Sequence, residues 1–198
     1  MQTLCDKINA FEKHVLDRQL RIAQILGKHF EDNSPGDPLS ESAFAILSLC
    51  LQYFEMYEQF SSGKDSSIGQ SKDFFECGFK KVFPDYGLAA RSIASIYKKV
   101  RCGMYHTAMP KDRCGLSRDL LVPISDDNGV ILINPSRFVG AIIDHFNQYC
   151  MELRVGADNQ LQANFETMWD LVAQQCKSSV AARMTATPTT PEPTFYRP

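Results

Sequence analysis

The sequence predicts an all-α protein, an up-and-down helical bundle with a small β-hairpin inserted before its fourth main helix. Three observations carry that prediction. Apolar residues recur every three or four positions through five separate stretches, which is the period of a helix with one buried face. One interval breaks the pattern: LLVPI and VILI, strand-like runs, flank the turn-rich SDDNG. Cap and turn residues stand where these periods end.

Leu4, Ile8, Phe11, Val15, Ile22 and Leu26 mark the buried stripe of a long first helix, and NSPGDP at 33–38 stops it. Ser40 is then expected to cap a second helix with the stripe Phe44, Leu47, Leu51 and Phe54. Glu55 and Glu58 read as that helix's solvated side. SSGKDSSIGQS is a polar loop, and SKDFFECGFKKVF a short helix that Pro84 and Gly87 end. Ile93, Ile96, Val100 and Met104 outline the third main helix. Over roughly 119 to 133, Asn128-Gly129 suits a tight hairpin reversal, and Pro123 confines the first strand to a sheet edge. Asn134 followed by Pro135 is a helix start, with Asn as cap and Pro in the first turn. The fourth helix carries Phe138, Ile142, Phe146, Tyr149 and Leu153 and stops at Gly156. Asp158 caps a fifth, with Leu161, Phe165, Met168 and Val172. Residues 1–182 thus read as a single domain, and the Thr/Pro-rich 183–198 as a disordered tail without an apolar face to dock.

Composition narrows the function classes. The chain has 198 residues, 44% hydrophobic and 22% charged, which suits a soluble domain with a real core. A net charge of −2 excludes a generic, strongly basic nucleic-acid binder. Seven cysteines without a C-x-x-C pair fit neither a disulfide framework nor a zinc site, and suggest reduced thiols in a cytoplasm. MQTLCDKINAFEKHV has no apolar core of a signal peptide, and the apolar window AFAILSLCLQYF falls short of the roughly 20 residues of a membrane span. Phosphate-binding glycine loops, His-Glu-x-x-His, Gly-x-Ser-x-Gly and paired metal-ligand spacings are missing, so no cofactor or metal is expected.

The chemistry-bearing candidate is VRCGMYH, residues 100–106, at the end of the third main helix. His14, His29 and His145 read as surface or satisfied helix histidines. His106 stands apart because residues 98–118 hold six cations (Lys98, Lys99, Arg101, Lys111, Arg113, Arg118) against Asp112 alone, a local +5 in an acidic chain. Such a segment is a phosphate-binding footprint, or simply cations favoured by a helix C-terminus. On an unbroken helix, five steps of about 100° set Arg101 and His106 about 140° apart. They converge only if the helix loosens, for which Gly103 offers the freedom, or if a second subunit completes the site. A guanidinium holds phosphate bidentately, and a histidine titrating near neutrality exchanges a proton with a hydroxyl. Tyr105 is placed to stack on a base or to pack at the helix end.

Over roughly residues 1–155 these features resemble the HEPN superfamily, helical bundles whose third major helix ends in Arg, four to six residues, then His. RCGMYH matches at Arg101 and His106. The resemblance implies a metal-independent RNA endonuclease, often a toxin or defence component, working as a homodimer with facing motifs. In that reading Arg101 holds the scissile phosphate and His106 is general acid or base, while Lys98, Lys99, Tyr105, Lys111, Arg113 and Arg118 bind RNA. The position after the arginine, commonly polar in active members, is Cys102; inactive members bind RNA, nucleotides or partner proteins. The alternative is a non-catalytic helical interaction module whose basic segment docks an acidic partner protein.

Overall fold

A computed structural model describes residues 2–66, 69–107 and 109–185, with side chains as far as Cys176. Helix makes up 72% of the described residues and the remainder of their regular structure is one three-stranded sheet, so the fold is mainly α. Thr3 and Asp6 form a reciprocal capping box that starts α1 (Leu4–Glu12). The same rod continues as a π-helical segment, Lys13–Leu20, and then as α2 (Arg21–Asp32). The wider π turns correct the predicted stripe. Ile8, Phe11 and Val15 are buried, but the next buried positions are Leu20, Ala23, Gly27 and Phe30, and Ile22 is 46% exposed. The step of five from Val15 to Leu20 replaces the usual three or four, because each π turn takes up more residues.

The second predicted helix divides. Asp37, not Ser40, caps the turn that precedes it, accepting from the Leu39 N–H. Ser40 is buried, and Ser42 donates its hydroxyl to the Leu26 carbonyl. α3 (Ala43–Cys50) buries Ala43, Ile46, Leu47 and Cys50; of the expected stripe Leu47, Leu51 and Phe54 are buried and Phe44 alone is exposed. α4 (Tyr53–Ser62) follows and ends at Gly63 in the left-handed region. α5 (Ser71–Val82) packs tightly against α4. A Cβ on Gly78 would lie 2.0 Å from the Phe54 carbonyl oxygen, so only glycine permits this approach. The core is rich in phenylalanine. Phe54 meets Phe75, Phe79, Phe83 and Phe138 at centroid distances of 4.8 to 5.9 Å, and Phe11 meets Phe60, Phe146 and Phe165 at 4.7 to 5.6 Å. Each buried phenylalanine contributes about 1.5–3 kcal/mol.

The third main helix is α6 (Ala90–Ser95), a second π segment (Ile96–Arg101) and α7 (Cys102–Thr107). Gly103 does not loosen it. Helical structure runs through to Thr107, and the missing side chain instead admits the returning loop: a Cβ there would stand 2.7 Å from the Met109 carbonyl. The Lys111 N–H closes that return on the Lys99 carbonyl at 2.9 Å.

The hairpin is present but shorter than expected, with β2 (Ile124–Asp127) antiparallel to β3 (Val130–Ile133). Asn128 and Gly129 both take positive φ, 51° and 80°, which a twist-matched two-residue hairpin turn requires. Pro123 immediately precedes the edge strand β2, and β1 (Cys114–Leu116) adds in parallel on the other side of β3. β1 falls inside the basic segment 98–118, for which the sequence predicts no strand. Asn134 caps α8 (Pro135–Val155) by accepting from the Ser136 and Arg137 N–H groups. Gly156 ends α8 at φ 69°, and Asp158 caps α9 (Asn159–Thr185). The predicted tail boundary at 183 therefore falls within α9, and residues 186–198 lie outside the described residues. All seven cysteines are free thiols. No helix among the described residues is long and apolar enough to cross a membrane.

Candidate functional site

The second π segment sets where the basic side chains point. Arg101 is its last residue, and its guanidinium turns toward α4 and the start of α5. Nη2 lies 3.3 Å from Glu55 Oε2 and 3.5 Å from Ser71 Oγ. Glu55 is thus not a solvated helix residue. Its carboxylate also accepts from Ser66 Oγ at 2.9 Å and Ser71 Oγ at 2.6 Å, and its side chain is only 17% exposed. Glu58 departs from the expectation in the same way, half-buried and 2.7 Å from Lys81 Nζ. Tyr97 and Tyr105, one helical turn either side of Arg101, bring their ring centres to 5.5 and 5.8 Å from the guanidinium carbon. Cation–π contact and an ion pair therefore hold one planar cation in place.

This clamped guanidinium lines a hollow of about 340 Å³ together with Ser48, Leu51, Gln52, Met104 and Tyr105. Both of its hydrogen bonds among the described residues use Nη2, so Nη1 and Nε remain for a ligand. Leu51 and Met104 supply an apolar floor, and Ser48 and Gln52 supply neutral polar groups at the wall. A cation with spare donors beside an exposed aromatic ring suits an anion that carries a flat, apolar body.

His106 is elsewhere. It is exposed, does not line the hollow, and stands edge-on to Tyr105 at 5.2 Å, without a hydrogen-bond partner among the described residues. Within one chain the structure does not bring Arg101 and His106 together. Lys98, Lys111 and Arg113 are exposed, and Arg113 takes φ 57° where the chain enters β1. Lys99 is turned toward Asp112 at 3.7 Å. Arg118 is committed to the fold: Nε donates to the Phe30 carbonyl at 2.6 Å, Nη2 to the Ser40 carbonyl at 2.5 Å, and the guanidinium stacks 4.2 Å from the Phe30 ring. Those carbonyls would otherwise be left open at the end of α2 and in the turn after it, so this cation acts as a structural tie.

The remaining histidines have local roles. His29 meets Asp37 at 2.9 Å. His145 Nδ1 meets the Tyr53 hydroxyl at 2.8 Å, and burial holds its imidazole below the ordinary histidine pKa. Among the described residues no group of three or more His, Cys, Asp and Glu side chains is gathered as a metal site would need. The partner that sequence reasoning missed is Glu55, 46 positions from Arg101. No local pattern marks a pairing at that separation. Tyr97 was recoverable, since aromatic residues at i−4 and i+4 bracket an arginine on one helix face. Comparison with protein-family models, with curated proteins and with solved structures gives no match for this chain.

Proposed function

We propose that the chain is a HEPN-like protein that binds single-stranded RNA through Arg101 and cleaves it without a metal at a site completed in a homodimer. The observation that carries the reading is the Arg101 guanidinium, fixed by Glu55 and two tyrosines at the mouth of a hollow it lines. A fixed guanidinium contacts a phosphodiester without first losing its own side-chain freedom, and Tyr105 offers a face to the adjoining base. His106 points to solvent from the same short helix, so a two-fold axis beside α7 would set one subunit's His106 against the other's Arg101. The chemistry is then a 2′-OH attack on phosphorus: the O2′–P bond forms as the P–O5′ bond breaks. The 2′-OH gives up a proton and the leaving 5′-oxygen takes one, with His106 serving one side of that exchange and water the other, and Arg101 stabilises the added phosphoryl charge.

The test is cleavage of single-stranded RNA in EDTA by wild type, Arg101→Ala, His106→Ala and a mixture of the two variants. Wild type should leave 2′,3′-cyclic phosphate ends, and His106→Ala should lose about 10²- to 10⁴-fold in rate while still binding. Mixing should restore about one quarter of the activity, because half the dimers then hold one intact site of two. Mixed variants as inactive as either alone would remove the composite site, and wild type that binds without cutting would remove the nuclease. One observation favours the interaction module instead: Glu55 offsets the Arg101 charge, while Tyr105 and Met109 expose apolar surface at the same end. That reading requires no RNA binding even at low salt.

A further inference from the structure

The hollow at Arg101 has a neighbour. A second hollow of about 290 Å³ opens between the first helical rod, α4 and α9, floored by Phe11, Phe60 and Trp169. Its rim is amide-rich, with Gln19, Gln52 and Gln59. Gln52 lines both hollows, and its side-chain amide donates to the Gln19 carbonyl oxygen at 2.6 Å, which places it as the post between them. Trp169 is the only tryptophan in the chain. Its ring is partly exposed and rests on Phe11 and Phe165 at 6.5 and 6.3 Å. The acids beside it in sequence, Glu166 and Asp170, are drawn to Lys7 at 3.3 and 2.9 Å. The second hollow therefore presents an aromatic floor with hydrogen-bonding edges of glutamine amides and the His14 imidazole, and the only cation lining the first is Arg101 among the described residues.

Stacking surfaces on either side of a fixed cation follow the order of groups along a single-stranded nucleic acid, in which flat bases recur between phosphates. Amide groups both donate and accept, as base edges require. Resting on the RNA reading above, we propose that the two hollows form one path for a single strand. One base stacks on Trp169 among the glutamines, the strand passes Gln52, a phosphate sits on Arg101, and the next base meets Tyr105. The path lies within one subunit, and gives Trp169, Gln52 and Gln59 a binding role that neither Arg101 nor His106 reveals.

The unique tryptophan makes the path measurable in the full chain. A fluorescein-labelled six-nucleotide RNA of mixed sequence is titrated at low salt, reading anisotropy for binding and, with the unlabelled strand, tryptophan emission for stacking. The expected result is binding accompanied by quenching of Trp169. Trp169→Leu should weaken binding about 5- to 100-fold, the effect of losing one stacking platform. Because Trp169 also packs on two phenylalanines, Gln52→Ala at the exposed post serves as the second variant and should weaken binding while leaving the Tm unchanged. Binding that leaves tryptophan emission and the affinities of both variants untouched overturns the path, while the Arg101 reading stands. No anisotropy change with any RNA removes both. Quenching by an apolar peptide but not by RNA would assign the second hollow to a protein partner and overturn the path as well.

Discussion

Replacing Asn134 by alanine would remove four hydrogen bonds through one side chain. The residue is 1% exposed, and its amide is fully used. Oδ1 accepts from the Ser136 and Arg137 N–H groups at 3.1 and 3.2 Å, and Nδ2 donates to the Arg118 and Leu120 carbonyls, both at 3.0 Å. It therefore both caps α8 and pins the strap between β1 and β2 to that cap. Losing the cap costs about 1 kcal/mol. Leaving two carbonyls without their donors costs about 1 kcal/mol each. The sum, about 3 kcal/mol, corresponds to a fall in Tm of roughly 6–12 °C for a domain of this size. Thermal unfolding followed by circular dichroism measures it. Asn134→Ser separates the two parts, since serine still caps but cannot reach the strap, and should recover about 1 kcal/mol of the loss. An Asn134→Ala protein melting within about 2 °C of wild type would refute the assignment of this side chain as a joint.

Gly78→Ala drives a methyl group into the Phe54 carbonyl, so α4 and α5 must separate; a loss of about 1–3 kcal/mol is expected in denaturant titration, and an unchanged midpoint would contradict the close approach. His145 gives a pH signature. Its folded pKa lies below the unfolded value of 6.5, so its stability is intact above 6.5 and is lost as the pH falls through the folded value, because the unfolded chain takes the proton first. The Tm should drop from about pH 7.5 to about pH 5, and by less in His145→Gln; equal slopes would show that burial of His145 does not set it.

What the sequence made legible was mostly local. Asn134-Pro135, Asn128-Gly129, Gly156 and Asp158 each act over three or four residues, and each takes its expected role in the structure. The periodic stripes located the helices, and their phase survives the second π segment, where Ile93, Ile96 and Val100 are buried as expected, but not the first. Ile22 lies outside and Leu20 inside because the π turns between residues 13 and 20 hold extra residues, which an unchanging 3.6 period does not anticipate. β1 escaped notice because Cys-Gly-Leu is too short to show alternation, and its ladder partners lie seventeen positions away at Ile131 to Ile133. At the site, the divergence of Arg101 and His106 follows from helix geometry alone. That Glu55 and Ser71 would hold Arg101, and that Arg118 would tie down α2 rather than face solvent, depends on packing between distant segments.

If Arg101 is a phosphate contact held in place by Glu55, as proposed above, the salt dependence of RNA binding registers it. Affinity for a single-stranded RNA, measured by anisotropy from about 50 to about 200 mM salt, should fall along a line whose slope counts the phosphates neutralised. Arg101→Ala should weaken binding at every salt concentration and flatten the slope by about 0.7, the share of one contact on a single strand. Glu55→Gln keeps the shape of the clamp while removing the competing charge, and should tighten binding at low salt without flattening the slope. An Arg101→Ala protein with the wild-type slope and affinity would show that Arg101 touches no phosphate.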